Sequence, residues 1–278
     1  MKRIAICLHG QIRNSSLGKG NKTGFVDTFK KYILNERITT NYEVNIFFVT
    51  DKSIPEKVTS YFGDHLKGFL ELDKSDIDEP INIQDYIDNY LKYYEYRRTN
   101  RDKFPYDTPS REIQLYSMYK KYCTYYLMKQ YEKQNNIKHD FILLSRHEWF
   151  FNHDLWDYIQ QLESGKYFLN QNHYIYFGRY DIMCHLLNII FVYGKYMYNE
   201  KIHSDDYIDN LSKSPYKYRF LGEKLWPCWV ESPEVQCFEH ILEYCYNNNI
   251  TSDKLGTMGF PHAFADYYID RKDYVDWS

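Results

Sequence analysis

Residues 139–151 read HDFILLSRHEWFF. An apolar run, Phe141-Ile142-Leu143-Leu144, gives way within two residues to a cation, an imidazole and a carboxylate: Arg146, His147 and Glu148. A short apolar run without alternation is the pattern of a strand buried on both faces, and such strands belong to parallel sheets covered by helices. In those sheets ligands bind beyond the carboxyl ends of the strands. The polar ending of residues 140–145 therefore predicts a strand that crosses a core and carries a site at its tip.

Upstream, the same grammar recurs. Arg3 to Leu8 reads as a strand running into the loop HGQIRNSSLGKGNKTG, and a helical pattern follows with Phe25, Phe29, Tyr32 and Ile33 on one face. Val44 to Val49 is a second continuous apolar strand, ending at Thr50-Asp51. A short helix over 54–62 and a strand at Leu66–Leu72 come next. Residues 73–110 are polar, with Pro80, Pro105 and Pro109, and read as an excursion or mobile loop holding a helix near 82–97. Ser110 is placed to cap a helix over 110–134, whose Tyr116, Tyr119, Cys123, Tyr126 and Leu127 recur at helical spacing.

Downstream, Leu155–Leu162 is helical and Tyr174–Phe177 is a short strand. Asp181 is placed to cap a buried helix over 182–197. Pro233 and Glu234 open another helix, 233–248, where a carboxylate suits the positive end of the helix dipole. Residues 251–278 are aromatic and read as an arm that packs back. Alternating strands and helices without a repeat or a composition break predict one α/β domain over 1–278, with a mostly parallel central sheet flanked by helices.

Composition narrows the function classes. Net charge is 35 − 38 = −3, so no basic field points to nucleic acid or acidic membranes. The six cysteines form no C-x-x-C pair and no zinc-finger spacing. After Lys2 and Arg3 only five apolar residues precede His9-Gly10, which reads as no signal peptide, and no stretch approaches the ~20 apolar residues of a membrane span. A reducing, cytoplasmic setting is the expectation. The 31 tyrosines, with abundant Asn, Lys and Ile, read as the codon bias of an AT-rich genome rather than as a binding surface.

Three strands thus end in polar groups: His9-Gly10-Gln11-Ile12-Arg13, Thr50-Asp51 and Arg146-His147-Glu148. Gathered in one crevice they offer a close backbone approach at Gly10, guanidinium groups at Arg13 and Arg146, and hydrogen-bonding groups at Thr50 and Asp51. Such a crevice suits a nucleotide carrying a diphosphate. The loop is neither a Walker A motif nor a G-x-G-x-x-G turn. Taken singly, Gly10 makes a turn, Arg146 serves an ion pair, His147 fills a surface or core position, and Asp181 and Glu234 cap helices; a shared crevice is what would join them into a site.

The opening R-I-A-I-C-L-H-G-Q-I-R resembles the "SGQLR" start of a family of glycosyltransferase-like proteins from giant viruses and bacterial polysaccharide clusters. Ile113 to Phe151 carries a second likeness, to a strand ending "YD-hydrophobic-R-x-R-x-D"; Y-F-G-R-Y-D-I-M (176–183) and S-P-E-V-Q (232–236) carry two more. This sequence departs at three points: Glu148 stands for the strand-end Asp, Leu144 for the first Arg, and His139 for the Tyr before Asp140. The resemblance implies a GT-A fold that transfers a sugar from a UDP- or GDP-sugar to a glycan or protein acceptor. It implies Mn²⁺ or Mg²⁺ on Glu148 with His147 as a nitrogen ligand. His9, Gly10, Gln11, Arg13 and Arg146 would hold the diphosphate, Thr50 and Asp51, by their position after the second strand, the nucleoside, and Asp181 or Glu234 would be the base for the acceptor hydroxyl. If the protein is viral, the host cytoplasm is its compartment. Two other readings stand beside this one: a degenerate relative that binds a nucleotide or glycan without turnover, which Glu148 favours, and a tyrosine-rich scaffold.

Overall fold

Strand β1 (Lys2–Gly10) occupies the middle of a seven-stranded sheet, and Ile4 through Gly10 are all buried. The computed structural model describes residues 1–10, 25–50, 60–72, 111–147, 149–171, 175–192, 237, 240–241, 243–245, 247–258 and 265–267. In chain order the elements are β1, α1 (Phe25–Tyr32), α2 (Glu36–Asn41), β2 (Tyr42–Thr50), β3 (Leu66–Glu71), α3 (Arg111–Asn135), β4 (Phe141–Arg146), β5 (Trp149–Phe151), α4 (Leu155–Glu163), β6 (Phe168–Gln171), β7 (Ile175–Arg179), α5 (Tyr180–Leu187), β8 (Leu255–Thr257) and β9 (Ala265–Tyr267).

The main sheet has the order β3-β2-β1-β4-β7-β6-β8, while β5 and β9 form a separate antiparallel pair. Pairings β1–β2, β2–β3, β1–β4 and β6–β8 are parallel, and β7 alone runs against its neighbours β4 and β6. The reason is local. Gln171 ends β6 and Ile175 begins β7, and three intervening residues cannot make the long crossover a parallel pair requires.

Alternation along β1 divides two cores. Ile4, Ile6 and Leu8 face α1, α2 and α4, where Phe29, Ile33, Ile38, Leu155 and Ile159 pack. Ala5 and Cys7 face α3 and α5, where Met118, Tyr119, Cys123, Ile182 and Leu186 pack. Burial on both faces explains why β1, β2 and β4 read as unbroken apolar runs. The edge strand β3 instead alternates half-buried and exposed residues, as one-sided cover demands.

Several details differ from the expectation. Tyr126 of α3 is exposed, and the buried stripe runs through Met118, Lys121, Thr124 and Met128. Strands β6 and β8 have no counterpart in the sequence reading, and the first part of the expected arm, Leu255–Thr257, is a sheet strand. The expectations for residues 54–59 and 73–110, and for the caps at Ser110 and Pro233, lie outside the described residues. Among the described residues no helix is long and apolar enough to cross a membrane.

Candidate functional site

From β1 the chain moves outward to β2 and β3 on one side, and it then returns through α3 to β4 on the other side. The carboxyl ends of β1 and β4 therefore flank a point where strand order reverses, the place where open α/β sheets bind ligands. The register brings the tips together: Gly10 pairs with Thr50, and His9 pairs with Arg146. Gly10 ends β1 at φ 135°, a backbone conformation that side-chain-bearing residues rarely adopt.

Alternation sorts the tip residues by face. Thr50 lies on the α1 face, two residues beyond Phe48. His147 is also there, its ring 5.3 Å from that of Phe48. The His147 Nδ1–H donates to the carbonyl of His9 at 3.4 Å, which leaves the lone pair on Nε2. The β4–β5 corner is held from below: Phe151 N–H donates to Thr28 Oγ1 at 3.2 Å, and the Phe151 ring packs edge-on against Phe29.

On the α3 face stand His9 and its register partner Arg146. The His9 ring is fully buried, and burial, then the charges on Lys121, Arg146 and Lys120, then His147, hold its pKa well below the ordinary value. His9 is therefore a neutral imidazole at physiological pH. Among the described residues, neither His9 Nε2 nor Thr50 Oγ1 has a hydrogen-bond partner, although both are buried. A buried polar atom left unpaired costs about 1–3 kcal/mol. These two atoms stand at adjacent strand tips, one on each face of the sheet.

Of the expected site residues, the structure thus brings together His9, Gly10, Thr50, Arg146 and His147. Gln11, Arg13, Asp51, Glu148 and Glu234 lie outside the described residues. Asp181 is a correction. The expectation held that its helix opened on the same crevice, but β7 is antiparallel, so Arg179 pairs with Phe141 at the start of β4 and α5 begins at the opposite rim. Asp181 is exposed there and pairs with Lys138 at 3.3 Å. It is not the helix cap either, since Arg179 holds that position.

The opposite rim carries a different polar cluster. Glu132 Oε1 accepts from the backbone N–H of His139 (3.0 Å) and from its Nδ1–H (2.9 Å), and Oε2 accepts from Lys129 (2.7 Å) and from the Tyr180 hydroxyl (2.7 Å). Asn45 Nδ2 donates to His139 Nε2 at 3.1 Å. Burial opposes ionisation of Glu132, but the hydrogen bonds from His139, Lys129 and Tyr180 outweigh it and bring the carboxyl down to about 2. With both its oxygens paired twice, this carboxylate is a clasp between α3, β4 and α5 rather than a reactive group.

The residue missed by strand-end reasoning is Lys121. It sits three residues after Met118 and three before Thr124, on the buried stripe of α3, and is itself buried. A lysine in phase with an apolar stripe is a signal the sequence did carry. No group of three or more metal-ligating side chains occurs among the described residues. No family model matches the chain. No curated protein matches it either.

Proposed function

We propose that the chain binds a nucleotide-diphosphate sugar at the β1–β4 rim and transfers the sugar to a glycan or protein acceptor, as a GT-A-like glycosyltransferase. The observation that carries this reading is the pair of buried polar atoms, His9 Nε2 and Thr50 Oγ1, that have no hydrogen-bond partner among the described residues and stand at adjacent strand tips beside the switch point. An α/β sheet flanked by helices, with six of seven strands running one way, supports it.

Negative charge grows on the departing diphosphate as the glycosidic bond breaks, and fixed cations in a partly dry site stabilise that charge. Arg146 is half-buried at this rim, and neutral His9 donates or accepts a hydrogen bond without adding a charge to be screened. Gly10 opens the backbone to close approach, and Thr50 offers a hydroxyl on the α1 face. When bound, a divalent cation supplies Lewis-acid neutralisation of the diphosphate. Among the described residues His147 suits it as a nitrogen ligand, because a proton fixed on Nδ1 turns the lone pair to Nε2.

The test is thermal unfolding with UDP, GDP and their sugars, with and without Mn²⁺, followed by assay of nucleotide-sugar hydrolysis. A ligand at one hundred times its Kd stabilises by about 2.7 kcal/mol, roughly 5 °C or more for a chain of this length. Stabilisation with slow hydrolysis of one nucleotide sugar is the expected result. Binding without turnover indicates a degenerate binder, and no shift with any nucleotide removes the reading.

A further inference from the structure

The ammonium of Lys121 is buried beneath the α3 face of the rim, and among the described residues no carboxylate pairs with it. Its Nζ lies 3.7 Å from Cys237 Sγ, 3.9 Å from Met118 Sδ and 5.8 Å from the centre of the Tyr176 ring. Thiols, thioethers and ring faces are weak partners for a cation, so an ammonium desolvated against them is poorly compensated. Its charge also acts on the buried, neutral ring of His9, together with the charges of Arg146 and Lys120.

The direction of the side chain matters. Helix α3 returns from β3 to the start of β4, so its N-terminal end lies at the carboxyl rim of the sheet. Side chains on a helix lean toward its N-terminus, and Lys121 follows the rule by reaching Met118, one turn earlier. The lysine thus points up the α3 face toward the level of His9 and Arg146.

We infer that Lys121 and His9 form a recess for an anionic group of the ligand, a phosphate or carboxylate that enters on the α3 face of the switch point. This deepens the glycosyltransferase reading and rests on it only for the identity of the ligand. In that reading the anion is the donor's diphosphate, or the carboxylate of an acidic sugar. Either would neutralise the Lys121 ammonium and give His9 Nε2 a partner. Lys121 is then a binding residue for the anion, and the apo protein carries the cost of keeping the site open.

Two measurements on Lys121→Met and His9→Gln, with the full chain, test it. Calorimetry with inorganic diphosphate, UDP, uridine and glucuronate reads binding; thermal unfolding without ligand reads the cost of the open site. The expected result is diphosphate binding by the wild type, at least tenfold weaker binding by Lys121→Met, weaker binding by His9→Gln, and a higher melting temperature for ligand-free Lys121→Met. Loss confined to diphosphate and UDP identifies the phosphate source, and loss confined to glucuronate identifies the carboxylate source. Unchanged affinity in Lys121→Met overturns the inference, as does a wild type that binds none of these anions. A Lys121→Met protein that melts lower or fails to fold also overturns it, because the ammonium would then be a structural group. Anion binding that depends on Lys121, in a protein that hydrolyses no nucleotide sugar, keeps the recess and removes the glycosyl-transfer reading.

Discussion

Replacing Glu132 by Gln should destabilise the protein strongly at neutral pH and hardly at all in strong acid. The carboxylate accepts four hydrogen bonds, from two different groups of His139 and from Lys129 and Tyr180. They hold its pKa at about 2 against an ordinary value of 4.5. The sign follows from linkage: a depressed folded-state pKa contributes stability that is fully present above the unfolded-state pKa and is lost as pH falls through the folded-state value. Each pKa unit is worth about 1.36 kcal/mol, so the upper bound is about 3 kcal/mol. Glu132→Gln keeps the shape but removes the charge, and its amide turns a donor toward a donor. Urea unfolding at pH 7, 5 and 3 measures the difference between the two proteins. We expect about 2–3 kcal/mol at pH 7, with a steady decline below pH 4.5. A difference below 1 kcal/mol at pH 7, or one that stays constant down to pH 3, would show that the clasp does not hold α3, β4 and α5 through its ionised form.

Gly10→Ala puts a β-carbon on a backbone at φ 135° and should cost roughly 1–3 kcal/mol in urea unfolding; an unchanged midpoint would contradict the glycine requirement at this strand end. Thr50→Val removes a buried hydroxyl that has no partner among the described residues. The ligand-free protein should gain about 1 kcal/mol while nucleotide affinity falls, and a loss of stability with unchanged affinity would take Thr50 out of the site. Gly256→Ala should destabilise by about 1–3 kcal/mol, since a β-carbon there would stand 2.6 Å from Leu169 Cδ2 where β8 packs on β6; a neutral substitution would mean that β8 is loosely held. Phe151→Ala should cost about 3–5 kcal/mol by emptying the space beside Phe29, and a smaller loss would indicate that the β4–β5 corner collapses around the gap.

The buried strands and the chemistry at their tips are legible in the amino-acid sequence alone. Runs such as Ile4–Leu8, Val44–Val49 and Phe141–Leu144 are legible because burial on both faces removes the alternation that would otherwise disguise them. Parallel strands must point their carboxyl ends the same way, so His9, Thr50 and Arg146 could be placed at one rim before any coordinates. The remaining features follow from how distant segments pack. Phe168–Gln171 is too short to declare itself, and without it the reversal of β7 is invisible, which is why Asp181 was assigned to the wrong rim. Lys121 falls in phase with the apolar stripe of α3, but its burial is settled only when α3 is laid on the sheet, because whether a charge faces water or an interior depends on what packs against it. Local pattern records how each segment is buried, whereas direction and pairing depend on distant residues, and those alone bring a lysine on a helix beneath a histidine on the central strand.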